Sequence, residues 1–135
     1  MKEILELIDK AIKARELAYT PYSKFKVGAL IIDDKGNEYT GCNIENASYG
    51  LSNCGERTAI FKGVSEGMKT IDTIVVVADT VGPVSPCGAC RQVIKEFSTN
   101  KTTIILANMK KEYKILTMEE LLPYGFGPSD LENVK

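Results

Sequence analysis

Phe25-Lys-Val-Gly-Ala-Leu-Ile-Ile32 runs into Asp33-Asp-Lys-Gly-Asn37 and leaves through Glu38-Tyr-Thr-Gly-Cys-Asn-Ile44. An apolar run, a turn of Asp, Gly and Asn, and a second run together read as a β-hairpin. Upstream, Ile4, Leu5, Ile8, Ala11 and Ile12 recur at helical spacing and predict an amphipathic helix over residues 3–18. Pro21 then breaks the helical pattern, because the residue before a proline is pushed out of the α region. Downstream, the polar residues 45–53 read as a loop, and Glu56–Gly63 as a helix carrying Ala59, Ile60 and Phe61. Thr73–Ala78 is valine-rich, as a strand buried on both faces must be. After a loop over Asp79–Pro86, Gly88–Phe97 reads as a helix with Val93, Ile94 and Phe97 on its inner face. Thr102–Ala107 and Glu112–Leu116 are predicted strands, Met118–Leu122 a short helix, and Pro123 opens an irregular tail. This order predicts an α/β layered domain around one mixed sheet, without internal repeat or linker.

The chain has 135 residues, which predicts a single domain over 1–135. Apolar residues make up 44% and charged residues 26%, a balance that argues against disorder. The 17 basic and 18 acidic side chains leave a net charge of −1, without the basic excess of a polynucleotide-binding surface. The longest apolar runs, Val27–Ile32 and Ile74–Ala78, fall far short of the roughly 18 residues a membrane span needs. Met1, Lys2 and Glu3 lead into an acid-containing amphipathic pattern rather than a secretory signal. A soluble, cytoplasmic protein is expected.

Histidine is absent, which excludes Ser-His-Asp and Cys-His hydrolases and any imidazole acid–base step. No phosphate-binding glycine loop is present. The four cysteines are Cys42, Cys54, Cys87 and Cys90. In a reducing compartment, clustered cysteines point to metal or redox chemistry. Pro86-Cys-Gly-Ala-Cys90 places two thiols on one face at a helix start. Cys54 stands at another predicted helix start, where the dipole favours a thiolate. Three thiolates on zinc would leave a fourth position for water, as catalytic sites do. The cysteines alone leave open a redox pair or a closed structural site including Cys42, while Cys42 needs no role beyond that of a small hydrophobe.

Glu56 narrows these alternatives. Cys54-Gly-Glu56 followed by Pro86-Cys-Gly-Ala-Cys90 matches the arrangement of zinc deaminases, in which the glutamate is not a ligand. The chain resembles the small, three-cysteine, free-nucleoside cytidine deaminases. The resemblance is carried by Pro21-Tyr-Ser-x-Phe25-x-Val-Gly-Ala29, Gly41-x-Asn43-Ile-Glu45-Asn-Ala47, Asn53-Cys-x-Glu-Arg57 and Ser85-Pro-Cys-Gly-x-Cys-Arg-Gln92, where x is any residue. It continues through Leu121-Leu-Pro123, Phe126 and Asp130-Leu131, and so covers nearly the whole chain in order.

The resemblance implies a three-layer α/β/α fold with one mixed five-stranded sheet. It implies that cytidine and deoxycytidine are hydrolysed to uridine and deoxyuridine plus ammonia, as in pyrimidine nucleoside salvage. Cys54, Cys87 and Cys90 would hold one zinc ion, whose hydroxide would attack C4 of the base. Glu56 would take the water proton, deliver it to ring N3 and later protonate the leaving ammonia. Arg57 would offset the net negative charge of zinc and three thiolates. Asn43 and Glu45, on one side of a strand, would bond the ribose hydroxyls. Phe25 would flank the base, and Ala47 and Tyr49 would line the nucleoside pocket. Phe126 would reach into a neighbouring subunit's site, which implies a homotetramer. Gly55 and Tyr124-Gly125 depart from the family's commoner residues. Two rivals remain at this stage: a blasticidin S deaminase, which would need another segment in place of Asn43-Ile-Glu45, and a non-catalytic zinc-stabilised domain, which would not need Glu56.

Overall fold

Along Ile71–Ala78 the side chains alternate between two cores: Ile74, Val76 and Ala78 face one, Val75 and Val77 the other, and all are fully buried. This period of two is that of a central strand covered on both faces. The computed structural model describes residues 2–132; Met1, which heads the amino-terminal reading, and residues 133–135 lie outside the described residues. The elements run α1 (Lys2–Arg15), β1 (Val27–Asp33), β2 (Glu38–Cys42), a 3-10 turn at Tyr49–Leu51, α2 (Gly55–Ser65) and β3 (Ile71–Ala78). They continue with α3 (Gly88–Glu96), β4 (Ser98–Asn108), β5 (Tyr113–Leu116), α4 (Met118–Leu121) and α5 (Pro128–Glu132).

The five strands form one sheet in the order β2-β1-β3-β4-β5. Only β3 and β4 pair in parallel, with α3 as the crossover; the other neighbours are antiparallel. Ile8 and Ala11 of α1 cover one face, over Leu30, Val75, Val77, Ile105 and Ala107. Ala59 and Ile60 of α2, Ile94 of α3 and Met118 and Leu121 of α4 cover the other. The mixed five-stranded sheet between two helical layers is the expected α/β/α architecture.

Gly41 sets how closely α2 lies on β2. A Cβ at Gly41 would stand 2.4 Å from Ala59 N and 2.8 Å from Gly55 O. Gly41→Ala is therefore expected to destabilise the fold by about 3 kcal/mol, because the backbone of α2 must move to admit it. A thermal melt unchanged from the wild type would sink this reading.

Several expected boundaries shift. α1 ends at Arg15, not at residue 18, because Glu16, Leu17 and Ala18 N–H groups bond three residues back in a tightening turn. Leu5 is outside the buried face and Leu7 packs there with Ile4 and Ile12. Phe61 is likewise half exposed beside buried Ala59 and Ile60. β1 starts at Val27, so Phe25 is in the preceding loop, where Lys24 has a φ of 60°. β2 stops at Cys42, so Asn43 and Glu45 are not on a continuous strand; only Ile44 bridges onward, to Tyr19 and Asn53. β4 begins four residues earlier than expected, and the tail contains α5.

Candidate active site

Cys54 and Cys87 are the N-caps of α2 and α3, each in extended backbone geometry, and Cys90 lies one turn into α3. Neither thiol caps its helix by a side-chain hydrogen bond, so both sulfurs are free to face each other. Cys54 Sγ is 4.0 Å from Cys87 Sγ, which is 3.4 Å from Cys90 Sγ, and all three lie within 4.8 Å of one another. Tetrahedral zinc–thiolate bonds of about 2.3 Å would set sulfurs about 3.8 Å apart. The donor set and its spacing therefore fit one zinc ion. Cys90 is buried, Cys54 half-buried and Cys87 exposed. Cys42, the fourth cysteine, is outside the cluster, and burial pushes its thiol up.

Two positive helix ends converge on these sulfurs. A hydrogen bond from the Cys90 thiol, then the Arg57 guanidinium, bring Cys54 down to about 5. The Cys90 proton is correspondingly held, first by its bond to Cys54 and then by burial. Arg57 Nη2 donates to Cys54 Sγ at 3.2 Å, while its buried Nε has no hydrogen-bond partner. The guanidinium is thus oriented by the thiolate rather than by a carboxylate.

Glu56, the second residue of α2, is only 4% exposed. Burial raises its pKa above the ordinary 4.5; its own backbone N–H and the Cys90 thiol oppose this only in part, and the Cys54 charge adds to the rise. A carboxyl raised in this way holds a proton more readily than an ordinary glutamate, as a group that both accepts and returns one must. Glu56, Cys54 and Cys87 open onto a cavity of about 260 Å³, also lined by Phe25, Val27, Asn43, Glu45, Val84 and Pro86.

The outer half of this cavity is built by side-chain bonds to a loop. Asn43 Oδ1 accepts from Val27 N–H at 2.9 Å, and its Nδ2 donates to Phe25 O at 2.8 Å. Glu45 Oε1 accepts from the N–H groups of Tyr22 and Ser23, and Oε2 from the Ser23 hydroxyl. Chief among the causes that hold its carboxyl below the usual range is the Ser23 hydroxyl bond. Ser23 Oγ in turn accepts from Phe25 N–H at 3.0 Å. Asn43 and Glu45 therefore reach the cavity although they do not share a strand.

Of the expected substrate-binding residues, Ala47, Tyr49 and Phe126 are outside this cavity; Cys90 and Arg57 are not on its lining either. Ala47 is exposed in its loop. Tyr49, 75% exposed, meets Tyr22 edge-on at 6.2 Å beside a second cavity that also borders Ser23, Glu45 and Ser52. Phe126 is 58% exposed in the tail. Conversely, Ser23, Val84, Ser85 and Pro86 line the main cavity without having been singled out as site residues. Ser23 and Ser85-Pro86 lie within the segments that carry the family resemblance, whereas Val84 lies outside them.

Three thiols gathered at two helix ends, with a buried carboxyl on the same cavity and no histidine, define a site of the zinc deaminase class. Residues 1–106 match the family described as the cytidine and deoxycytidylate deaminase zinc-binding region. The cytidine deaminase of Sporosarcina psychrophila is 51% identical over 129 residues, covering 96% of this chain and 95% of that one. That of Halalkalibacterium halodurans is 51% identical over 127 residues, covering 94% and 96%. The crystal structure of cytidine deaminase from Burkholderia pseudomallei superposes with a TM-score of 0.87 at 46% identity, covering 90% of this chain and 98% of that one. The chain belongs to the cytidine deaminase family.

Proposed function

We propose that this chain deaminates cytidine and deoxycytidine hydrolytically, each to its uracil nucleoside plus ammonia, as a single domain over residues 1–135. The observation that carries this reading is the juxtaposition of Cys54, Cys87 and buried Glu56 with Asn43 and Glu45 around one cavity. In this reading Cys54, Cys87 and Cys90 hold one zinc ion. Zinc bound there lowers the pKa of water enough to supply a nucleophile near neutral pH. Glu56 accepts a first proton from the attacking water and passes it to ring N3, then takes the proton of the new C4 hydroxyl and delivers it to the amino group, which leaves as ammonia as C4=O forms. Arg57 offsets the excess negative charge through Cys54. Phe25 flanks the base.

Asn43 and Glu45 bond the sugar with the capacity they have left. Asn43 Nδ2 has a second hydrogen beyond the one given to Phe25 O, and Glu45 Oε2 has a further lone pair. One hydroxyl can use both, accepting from the first and donating to the second. A 3′-hydroxyl suffices for this, which supports acceptance of ribose and deoxyribose alike.

The exposure of Phe126, away from its own chain's cavity, supports a homotetramer in which it completes a neighbour's pocket, and Tyr49, which borders the adjoining cavity beside Glu45, lines the nucleoside pocket with Ala47 in this reading. No helix among the described residues is long and apolar enough to cross a membrane. The free thiols support a reducing, cytoplasmic setting for this reading, and the near-neutral charge supports a nucleoside rather than a polynucleotide substrate.

The test is ultraviolet absorbance with zinc-loaded protein given cytidine, deoxycytidine or blasticidin S. Loss of the cytidine and deoxycytidine bands, with blasticidin S unchanged, is expected; turnover of blasticidin S alone would overturn the substrate. Asn43→Ala is expected to raise KM about tenfold or more, since it loses a sugar contact and releases the Phe25 loop. Because Glu45 is ionised even below its ordinary 4.5, KM should carry no rise due to this group until pH falls below that value. A KM that climbs between neutrality and that value would remove Glu45 from the sugar contact.

A further inference from the structure

Arg91 and Gln92 follow directly on Cys90, and the chemistry above assigns them nothing. Arg91 Nε donates to Pro86 O at 2.8 Å, Nη2 to Ser85 Oγ at 2.5 Å and Nη1 to Leu121 O at 2.6 Å. Gln92 Nε2 donates to Phe126 O at 2.7 Å. None of these acceptors is a carboxylate, so the half-buried guanidinium serves as a three-way tie rather than an ion pair. Ser85 and Pro86 are a wall of the main cavity. Val84 is fixed from the sheet side by its N–H bond to Ala107 O at 3.3 Å, and the next two residues are fixed by Arg91. Leu121 and Phe126 belong to the carboxy-terminal segment, 30 and 34 positions away in sequence.

From this geometry we propose that Arg91 is a positioning residue for nucleoside binding, with Gln92 as its companion. Arg91 holds the Ser85–Pro86 wall and the end of α4 in register with α3, the helix that carries Cys90. Gln92 holds the backbone at Phe126 to the same helix. Neither touches the sulfurs, so the effect falls on substrate binding rather than on the metal or the proton steps. A lysine cannot replace the tie, because an ammonium lacks the planar fork that reaches three diverging acceptors. The proposal rests on the nucleoside reading above.

The experiment uses zinc-loaded wild type, Arg91→Lys, Arg91→Ala and Gln92→Ala. It reads zinc content, cytidine kcat and KM, and amide hydrogen exchange. Arg91→Lys is expected to raise KM about tenfold with kcat within about threefold and zinc content unchanged. Exchange should quicken at Val84 and Leu122, the bonded amides next to the tied Ser85 and Leu121, and ethylguanidinium should lower the raised KM of Arg91→Ala. Gln92→Ala, whose side chain is exposed, should quicken exchange at Gly127, whose N–H bonds Asp130, and not at Val84. Unchanged KM and exchange in both Arg91 variants would overturn the proposal. So would a fall in kcat at constant KM, which would place Arg91 on the chemical step. If the alanine variant fails to fold, the lysine variant decides between these outcomes. If the wild type does not turn over cytidine, the substrate reading fails, and the exchange data still judge the tie.

Discussion

Glu56→Gln is expected to lower kcat on cytidine by about 10⁴-fold, the upper end for a single acid–base group. The size follows from the proposed role of one carboxyl in every proton movement, in a chain without histidine. Glutamine keeps the shape and the helix position but can neither take nor return a proton. The loss should sit in kcat, with KM little changed, because the group is needed as charge moves and not for holding the nucleoside. Zinc content should match the wild type, since Glu56 is not among the clustered sulfur donors. Stability should be equal or higher. The carboxyl is 4% exposed and its pKa is raised by burial, so its ionised form is a cost that the neutral amide relieves. Raised thermal stability with collapsed turnover would mark a residue kept for chemistry. A zinc-loaded Glu56→Gln that keeps kcat within about tenfold would remove Glu56 from the proton path.

What the sequence discloses about this site depends on how local the determining physics is. The helix starts at Cys54 and Cys87 are legible because helix boundaries leave short signals: a proline before one, a glutamate in the first turn of the other. The two faces of β3 are legible from a continuous valine run. The positions of Phe25, Asn43 and Glu45 are not, because they are set by side-chain bonds across 16 to 23 residues. Strand alternation gave a wrong route to a right neighbourhood: β2 stops at Cys42, and the loop wraps back onto Asn43 and Glu45 instead. Arg91 illustrates the same limit, since its acceptors lie both 5 and 30 positions away and no period connects them. Tyr49 and Phe126 are legible only through family resemblance, and each stands exposed on its own chain.

Cys87→Ala is expected to abolish both metal and turnover, with zinc falling from about one per chain to a small fraction of that. The three sulfurs are otherwise a poor arrangement. At 3.4 to 4.0 Å between neighbours, they can relieve crowding of charge only by retaining protons, as Cys90 does beside the low Cys54. A divalent ion removes that conflict, leaving a net charge of −1 that the guanidinium of Arg57, 3.2 Å from Cys54, then balances. Binding energy of this kind is also folding energy, so chelation should lower the melting temperature of the wild type by about 10 °C or more. The Cys87→Ala protein should already melt at that lower temperature and show no further change with chelator. Cys42→Ala is the matched control: outside the cluster, it should lose no more than about 1 kcal/mol of packing and keep zinc and turnover. The decisive comparison is the chelator response. If Cys87→Ala retains wild-type zinc and still loses stability on chelation, the ion is held elsewhere, and the cluster is three thiols without a metal to serve.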